Sequence, residues 1–166
     1  MGVQRYHKHT RVIHSISALL IIGLFILGKV MEKQGPDSVM SILPIHSIGG
    51  YLLLFLTLYR TWLLFKKERP APVETGKEWN QKLMYFVHRA FYVLIFVAIF
   101  SGIGTAATGG YPEAFEVMDA TLIHKTPVKP VHGVSTFVMI LLVIAHVGGV
   151  IRHYFRKKEN TLKRIL

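Results

Sequence analysis

His132 and His146 lie fourteen positions apart on one apolar stretch, 131–150. Fourteen helical residues rise about 21 Å and return to within roughly 40° of the same face. One side of one membrane helix would therefore hold two imidazoles, one towards each surface. Neutral imidazole is a suitable ligand for haem iron, and two stacked haems need ligands at two heights. His14, His46 and His88 stand near the ends of the other apolar stretches. An ionisable group in a membrane span is costly and usually functional. One histidine near a helix end can be explained by snorkelling to the interface, but a set at two depths is not.

Four apolar blocks must position these residues: about 12–30, 42–65, 83–106 and 131–151, the helix of the last running on to about 131–156. Each has roughly the 20 residues needed to cross a bilayer core. Together they leave no room for a soluble domain, so the 166 residues predict one all-α integral membrane four-helix bundle, with every backbone polar group satisfied inside its own helix. The turn signal Gly35-Pro36-Asp37 marks the connection 31–41. Pro70 and Pro72 mark the connection 66–81. The longest connection, 108–130, opens on Gly109-Gly110-Tyr111-Pro112 and contains an amphipathic segment, 113–122, that suits a short surface helix. The basic tail 157–166 reads as a continuation of the fourth helix.

The formal charge of +11 is distributed as membrane orientation requires. Arg5, Lys8 and Arg11, then the 66–82 connection, then Arg152, Arg156, Lys157, Lys158, Lys163 and Arg164 carry most of it. The other two connections mix Lys29, Lys33, Lys125 and Lys129 with five carboxylates. This positive-inside pattern places both termini in the cytoplasm and explains the charge through topology and anionic lipid. No RNA or DNA motif accompanies it, so nucleic acid is not an expected partner. Cysteine is absent, which excludes disulfides, thiolate iron–sulfur ligation and covalent c-type haem. The first block reads as an uncleaved signal anchor, because no small-residue cleavage site follows it.

Depth then pairs His46 with His132 at an outer haem, and His146 with either His14 or His88 at an inner one. Bis-imidazole ligation fills both axial positions, so the expected chemistry is outer-sphere electron transfer. Glycines near the histidines (Gly49, Gly50, Gly102, Gly104, Gly133, Gly148 and Gly149) suit either close helix approach or a macrocycle lying on backbone. His153, with Arg152, Tyr154 and Arg156, forms a polar cluster at the inner surface. It suits haem propionates or a quinone head group, which needs a proton donor beside an electron source. Lys125 and Lys129, with His124, give the outer connection a local positive potential that would attract a small anion over the outer haem. His7 and His9 read as solvated.

These residues resemble the bacterial cytochrome b561 family of four-helix di-haem quinone reductases over nearly the whole chain. The resemblance is carried by Arg11-Val-Ile-His14, by Ile45-His46-Ser-Ile-Gly-Gly50 with Leu58-Tyr-Arg60-Thr-Trp62, and by His88-Arg-Ala-Phe-Tyr92 with Ser101-Gly102. It continues through Val131-His132-Gly133, Ala145-His146-Val147, His153-Tyr154-Phe155 and the ending Asn160-Thr161-Leu162-Lys163-Arg164. It implies one haem b on His14 and His146 and a second on His46 and His132, with His88 a neighbour of the inner haem near a propionate. Among family members, the superoxide oxidase type implies electron transfer from superoxide outside to ubiquinone in the bacterial inner membrane, with His153 at the quinone site. The chain departs from the family pattern at Ser15, where tryptophan is usual, and this bears on packing beside the inner haem.

Two other classes compete. A cytochrome b anchor for a hydrogenase- or formate-dehydrogenase-like partner shares the same histidine logic, and its mark is a co-purifying iron–sulfur subunit. A haem-free proton-coupled transporter would use the histidines as a proton path. A homodimer is compatible with the sequence but is demanded by nothing in it.

Overall fold

The computed structural model describes residues 5–66, 78–158 and 161–165. Four helices are long and apolar enough to cross a membrane: α1 (Lys8–Gln34), α2 (Pro36–Lys66), α3 (Glu78–Thr108) and α5 (Lys129–Lys157). Between the last two lie α4 (Tyr111–Val117) and a 3-10 turn (Ala120–Leu122), and α6 (Leu162–Ile165) closes the described chain. No strand occurs among the described residues. The architecture is the all-helical bundle that the apolar blocks predict.

The helices overrun their apolar blocks. Continuing the helix through the interfacial region keeps backbone groups bonded internally, and the overhangs carry local ion pairs, Lys29–Glu32 at 2.6 Å and Lys82–Glu78 at 2.7 Å. The expected connection 31–41 shrinks to a one-residue break at Gly35. Its φ of 86° is open to glycine, and its amide donates to the Met31 carbonyl at 3.3 Å. Pro36 then opens α2, where a missing amide hydrogen costs nothing.

The tail does not continue α5. Lys158 takes a left-handed φ of 57° and its amide donates to the Tyr154 carbonyl at 2.9 Å, which ends the helix. α6 packs against α1. There the Tyr6 amide donates to the Arg164 carbonyl at 3.0 Å. Both ends of the described chain thus share one end of the bundle, called the termini end below.

α1 packs closely along α2, and α3 along α5, while α2–α3 and α1–α5 approach one another less. The bundle is two helix pairs facing across a looser seam. Mid-depth is filled by Ile21, Leu53, Ile95, Ala98 and Met139, all buried, with contributions from every span. Outward faces are apolar too: Leu19, Ile48, Phe55, Phe100 and Ile144 are 61–72% exposed. A water-facing surface would not carry so much exposed aliphatic and aromatic area, but lipid accepts it.

Candidate functional site

The central layer locates the histidines. Ile21 is seven residues after His14, Leu53 seven after His46, Ile95 seven after His88, and Met139 seven from both His132 and His146. Seven residues on a helix return to within about 20° of the same face. All five histidines therefore lie on the same stripe of their helices as the core layer, with His14, His46, His132 and His146 half-buried and His88 exposed. Counting a further seven residues completes two levels. At the far level stand Gly28, His46, Gly102 and His132; at the level nearer the termini stand His14, Arg60, His88 and His146.

At the far level the rings of His46 and His132 face each other across the seam, with centroids 6.1 Å apart and planes at 73°. An iron between two imidazoles, with metal–nitrogen bonds of about 2 Å, would set the ring centres about 6 Å apart. His132 Nδ1 donates to the Ala98 carbonyl at 2.7 Å. This fixes the tautomer that leaves Nε2 as the free acceptor, an orientation device usual for metal-bound histidine. His46 Nδ1 is buried without a hydrogen bond, and the Leu24 backbone lies beside that ring. The glycines make room. A Cβ on Gly102 would stand 3.0 Å from His132 Cε1, and one on Gly28 would stand 3.7 Å from His46 Cε1.

The other level is more crowded. The His88 and His146 rings stand 5.3 Å apart at 84°, and Phe91 meets His146 edge-on at 5.7 Å. His88 Nδ1 donates to the Met84 carbonyl at 2.7 Å on its own helix. His14 lies within electrostatic reach of both His88 and His146, and Arg60 of all three. The two alternatives for pairing with His146 are thus brought to one level rather than separated by depth. Ser15 donates to the Arg11 carbonyl at 3.2 Å, so its small side chain stays on its own helix.

Among the described residues, no cluster of three or more His, Cys, Asp or Glu side chains could hold a bare metal ion. Facing imidazoles supply two donors, which suits an iron that brings four equatorial nitrogens with it. The paired His46 and His132 rings, the Nε2 of His132 left free by its Nδ1 bond, and the lack of side chains at Gly28 and Gly102 beside those rings therefore fit a haem at the far level.

Other expected site residues are placed less centrally. Lys125 and Lys129 are exposed on the far side, where the Thr126 hydroxyl accepts from the Val128 and Lys129 amides at 3.2 Å and caps α5. Lys129 also lies within reach of Glu32, which tempers its positive potential. His124 Nδ1 donates to the Leu122 carbonyl at 3.1 Å. His153 is half-buried and Arg152 exposed, towards the termini end of α5. A cavity of about 190 Å³ opens there, lined by Val150, Ile151, Tyr154, Phe155, Thr161 and Leu162, so it uses neighbouring residues of α5 and not His153 itself. His7 is not merely solvated: it caps α1 by accepting from the His9 amide at 3.4 Å, and His9 reaches Tyr59 on α2 at 3.3 Å. Close helix approach accounts for Gly49 and Gly104, whose added Cβ atoms would meet Leu24 at 2.8 Å and Val128 at 3.2 Å. It does not account for Gly50, Gly133, Gly148 or Gly149, which have nothing within 4 Å.

The sequence alone does not mark Arg60 and Gly28 as parts of the two levels, and it marks Gly102 only as one of several glycines near the histidines. The signal that finds them is the seven-residue step carried beyond each histidine.

A four-span bundle with inward imidazoles at two depths defines a membrane cytochrome b architecture. The family model for prokaryotic cytochrome b561 matches residues 5–166, and the chain belongs to that family. It is 27% identical to cytochrome b561 homolog 2 of Escherichia coli K12, over 98% of this chain and 92% of the relative. It is 20% identical to cytochrome b561 homolog 1 of the same organism, over 99% and 98%. No solved structure matches it significantly. The chain is therefore a multi-pass membrane electron-transfer protein of a family that normally binds haem b.

Proposed function

We propose that this protein is a di-haem superoxide:ubiquinone oxidoreductase of the bacterial inner membrane, with both termini cytoplasmic. The observation that supports this reading most is the pair of inward histidine levels, with α5 contributing one ligand to each. His46 and His132 would hold the outer haem b, and His14 and His146 the inner one. His88, tied to Met84 and with its ring centre 5.3 Å from that of His146, would be a neighbour of the inner haem. Haem b, held by these histidines, would supply one-electron transfer chemistry.

The balance is two superoxide anions, one quinone and two protons giving two dioxygen and one quinol. Lys125 and Lys129 attract the anion to the outer face. Arg152 and His153 stand at the cytoplasmic side, where the quinone must collect its protons. The layer of Ile21, Leu53, Ile95 and Met139 keeps water from joining the two levels, so protons do not leak along the electron route.

The test is purified protein assayed for pyridine haemochrome and for superoxide decay with and without ubiquinone. Two haems b per chain and quinone-dependent acceleration are expected. Haem-free protein from haem-replete cells would overturn the reading, and so would decay that quinone does not accelerate.

A further inference from the structure

Arg60 is the only charged residue in the apolar block 42–65. It stands fourteen residues after His46, just as His146 stands fourteen after His132. α2 therefore presents an imidazole at one level and a guanidinium at the other. At that level Arg60 is within electrostatic reach of His14, His88 and His146. Its Nε is buried with no hydrogen-bond partner among the described residues. Its guanidinium carbon lies 5.8 Å from the centre of the Tyr92 ring, and the Tyr92 hydroxyl is also buried and unpartnered.

A guanidinium cannot shed its charge, and its planar fork matches a carboxylate. Leaving such a charge unpaired in a span costs several kcal/mol. No Asp or Glu lies in any of the four apolar blocks. The nearest acidic side chain on the termini side among the described residues, Glu78, is exposed and paired with Lys82. A guanidinium whose buried Nε has no partner, next to an unpartnered phenol, with no acidic side chain at this level among the described residues, suits a bound carboxylate.

We propose that Arg60 and Tyr92 bind a propionate carboxylate of the inner haem, and that Arg60 thereby raises the affinity of that haem for an electron. The inference rests on the di-haem reading above. Both groups act as positioning residues: the guanidinium neutralises the carboxylate and the phenol donates a second hydrogen bond. Cancelling the carboxylate's negative charge beside the inner iron favours the reduced state of that haem, whereas the far level carries no cation in its place and has Gly28 and Gly102 beside its two histidines. Electron flow would then be directed from the far level towards the termini end.

The experiment is a redox titration of the haem-loaded protein and of its Arg60→Gln, Arg60→Lys and Tyr92→Phe variants, with the two haems resolved spectrally. Arg60→Gln is expected to shift the electron distribution at least tenfold away from the inner haem, about 59 mV for one electron, while leaving the outer haem unchanged. Arg60→Lys should recover most of that shift, and Tyr92→Phe should produce a smaller one. Loss of the inner haem in Arg60→Gln with retention in Arg60→Lys would support the proposal equally. An inner haem at wild-type potential in Arg60→Gln would overturn it. Titration in lipid-free detergent separates the sources of the anion: a shift that appears only with phospholipid present identifies a lipid phosphate and also overturns the proposal. Wild-type protein without an inner haem would instead refute the di-haem reading itself.

Discussion

Gly102 offers a test in which cofactor retention and helix stability move in opposite directions. A Cβ at this position would lie 3.0 Å from His132 Cε1 and 3.1 Å from Nδ1, inside ordinary van der Waals contact. His132 cannot retreat freely, because its Nδ1 is bonded to the Ala98 carbonyl at 2.7 Å and its Nε2 must face His46. Gly102→Ala should therefore displace the ring by a few tenths of an ångström, at about 1 kcal/mol, or roughly a fivefold loss of outer-haem affinity. Gly102→Val adds two methyl groups at the same point. The cost should rise to about 2–3 kcal/mol, a loss of roughly 30–150-fold. Alanine in a helix interior is meanwhile better than glycine by up to about 1 kcal/mol, so the apoprotein should be no less stable than wild type. The assay is haem retention by pyridine haemochrome during dilution into a haem scavenger, alongside thermal unfolding of the apoprotein. Full retention of two haems by Gly102→Val would refute the geometry, as would equal loss of both haems. Unfolding of apo Gly102→Ala well below wild type would show that the glycine serves the helix and not the ring.

Three further outcomes are expected. His132→Ala should abolish only the outer haem signal and His146→Ala only the inner, each leaving about one haem per chain; reduced-minus-oxidised spectra would show it, and simultaneous loss of both from either variant would count against two separate levels. Lys125→Glu combined with Lys129→Glu reverses two charges and should slow superoxide consumption about tenfold at low salt, converging with wild type as ionic strength rises; stopped-flow traces over a salt series measure this. Asp119 accepts from the Thr121 amide at 2.9 Å and from its hydroxyl at 2.6 Å, and these bonds hold its carboxyl below the usual value of 3.8. Because the folded value is depressed, the bonds favour the folded turn above that pH, and this contribution is lost as pH falls through the depressed value. Amide-exchange protection at Thr121 should thus be the same at pH 7 and pH 5, after correction for intrinsic exchange, and should fall only as the pH drops below the usual carboxyl value of 3.8; Asp119→Asn should remove that dependence.

The spans and the sharing of α5 between two levels were legible because composition and helical period report them directly. Length and apolarity suffice for a membrane helix, and His132 and His146 sit on one face whatever surrounds them. Helix ends were less legible. Hydropathy marks where the hydrocarbon stops, whereas the helix stops where a residue such as Gly35 or Lys158 leaves the right-handed region. The end of α5 falls at a left-handed residue that is not glycine, and Lys158 carries no sequence mark of that conformation. Depth could not divide His14 from His88, because both lie at the same level on different helices. Arg60 was hidden among motif residues, since a single arginine in an apolar block reads as a helix-end anchor until its inward register is counted.

The arrangement of α5 has a mechanical consequence. One stiff rod carries an imidazole at each of two stations about 21 Å apart. A rotation of that rod about its axis swings both rings in the same sense, and a tilt of about 5° about one station displaces the other by roughly 2 Å. Neither station can be retuned through this backbone without disturbing its twin. Independent adjustment must come from the opposing jaws: α1, α3 and Arg60 for one station, and α2 with its glycine neighbours for the other.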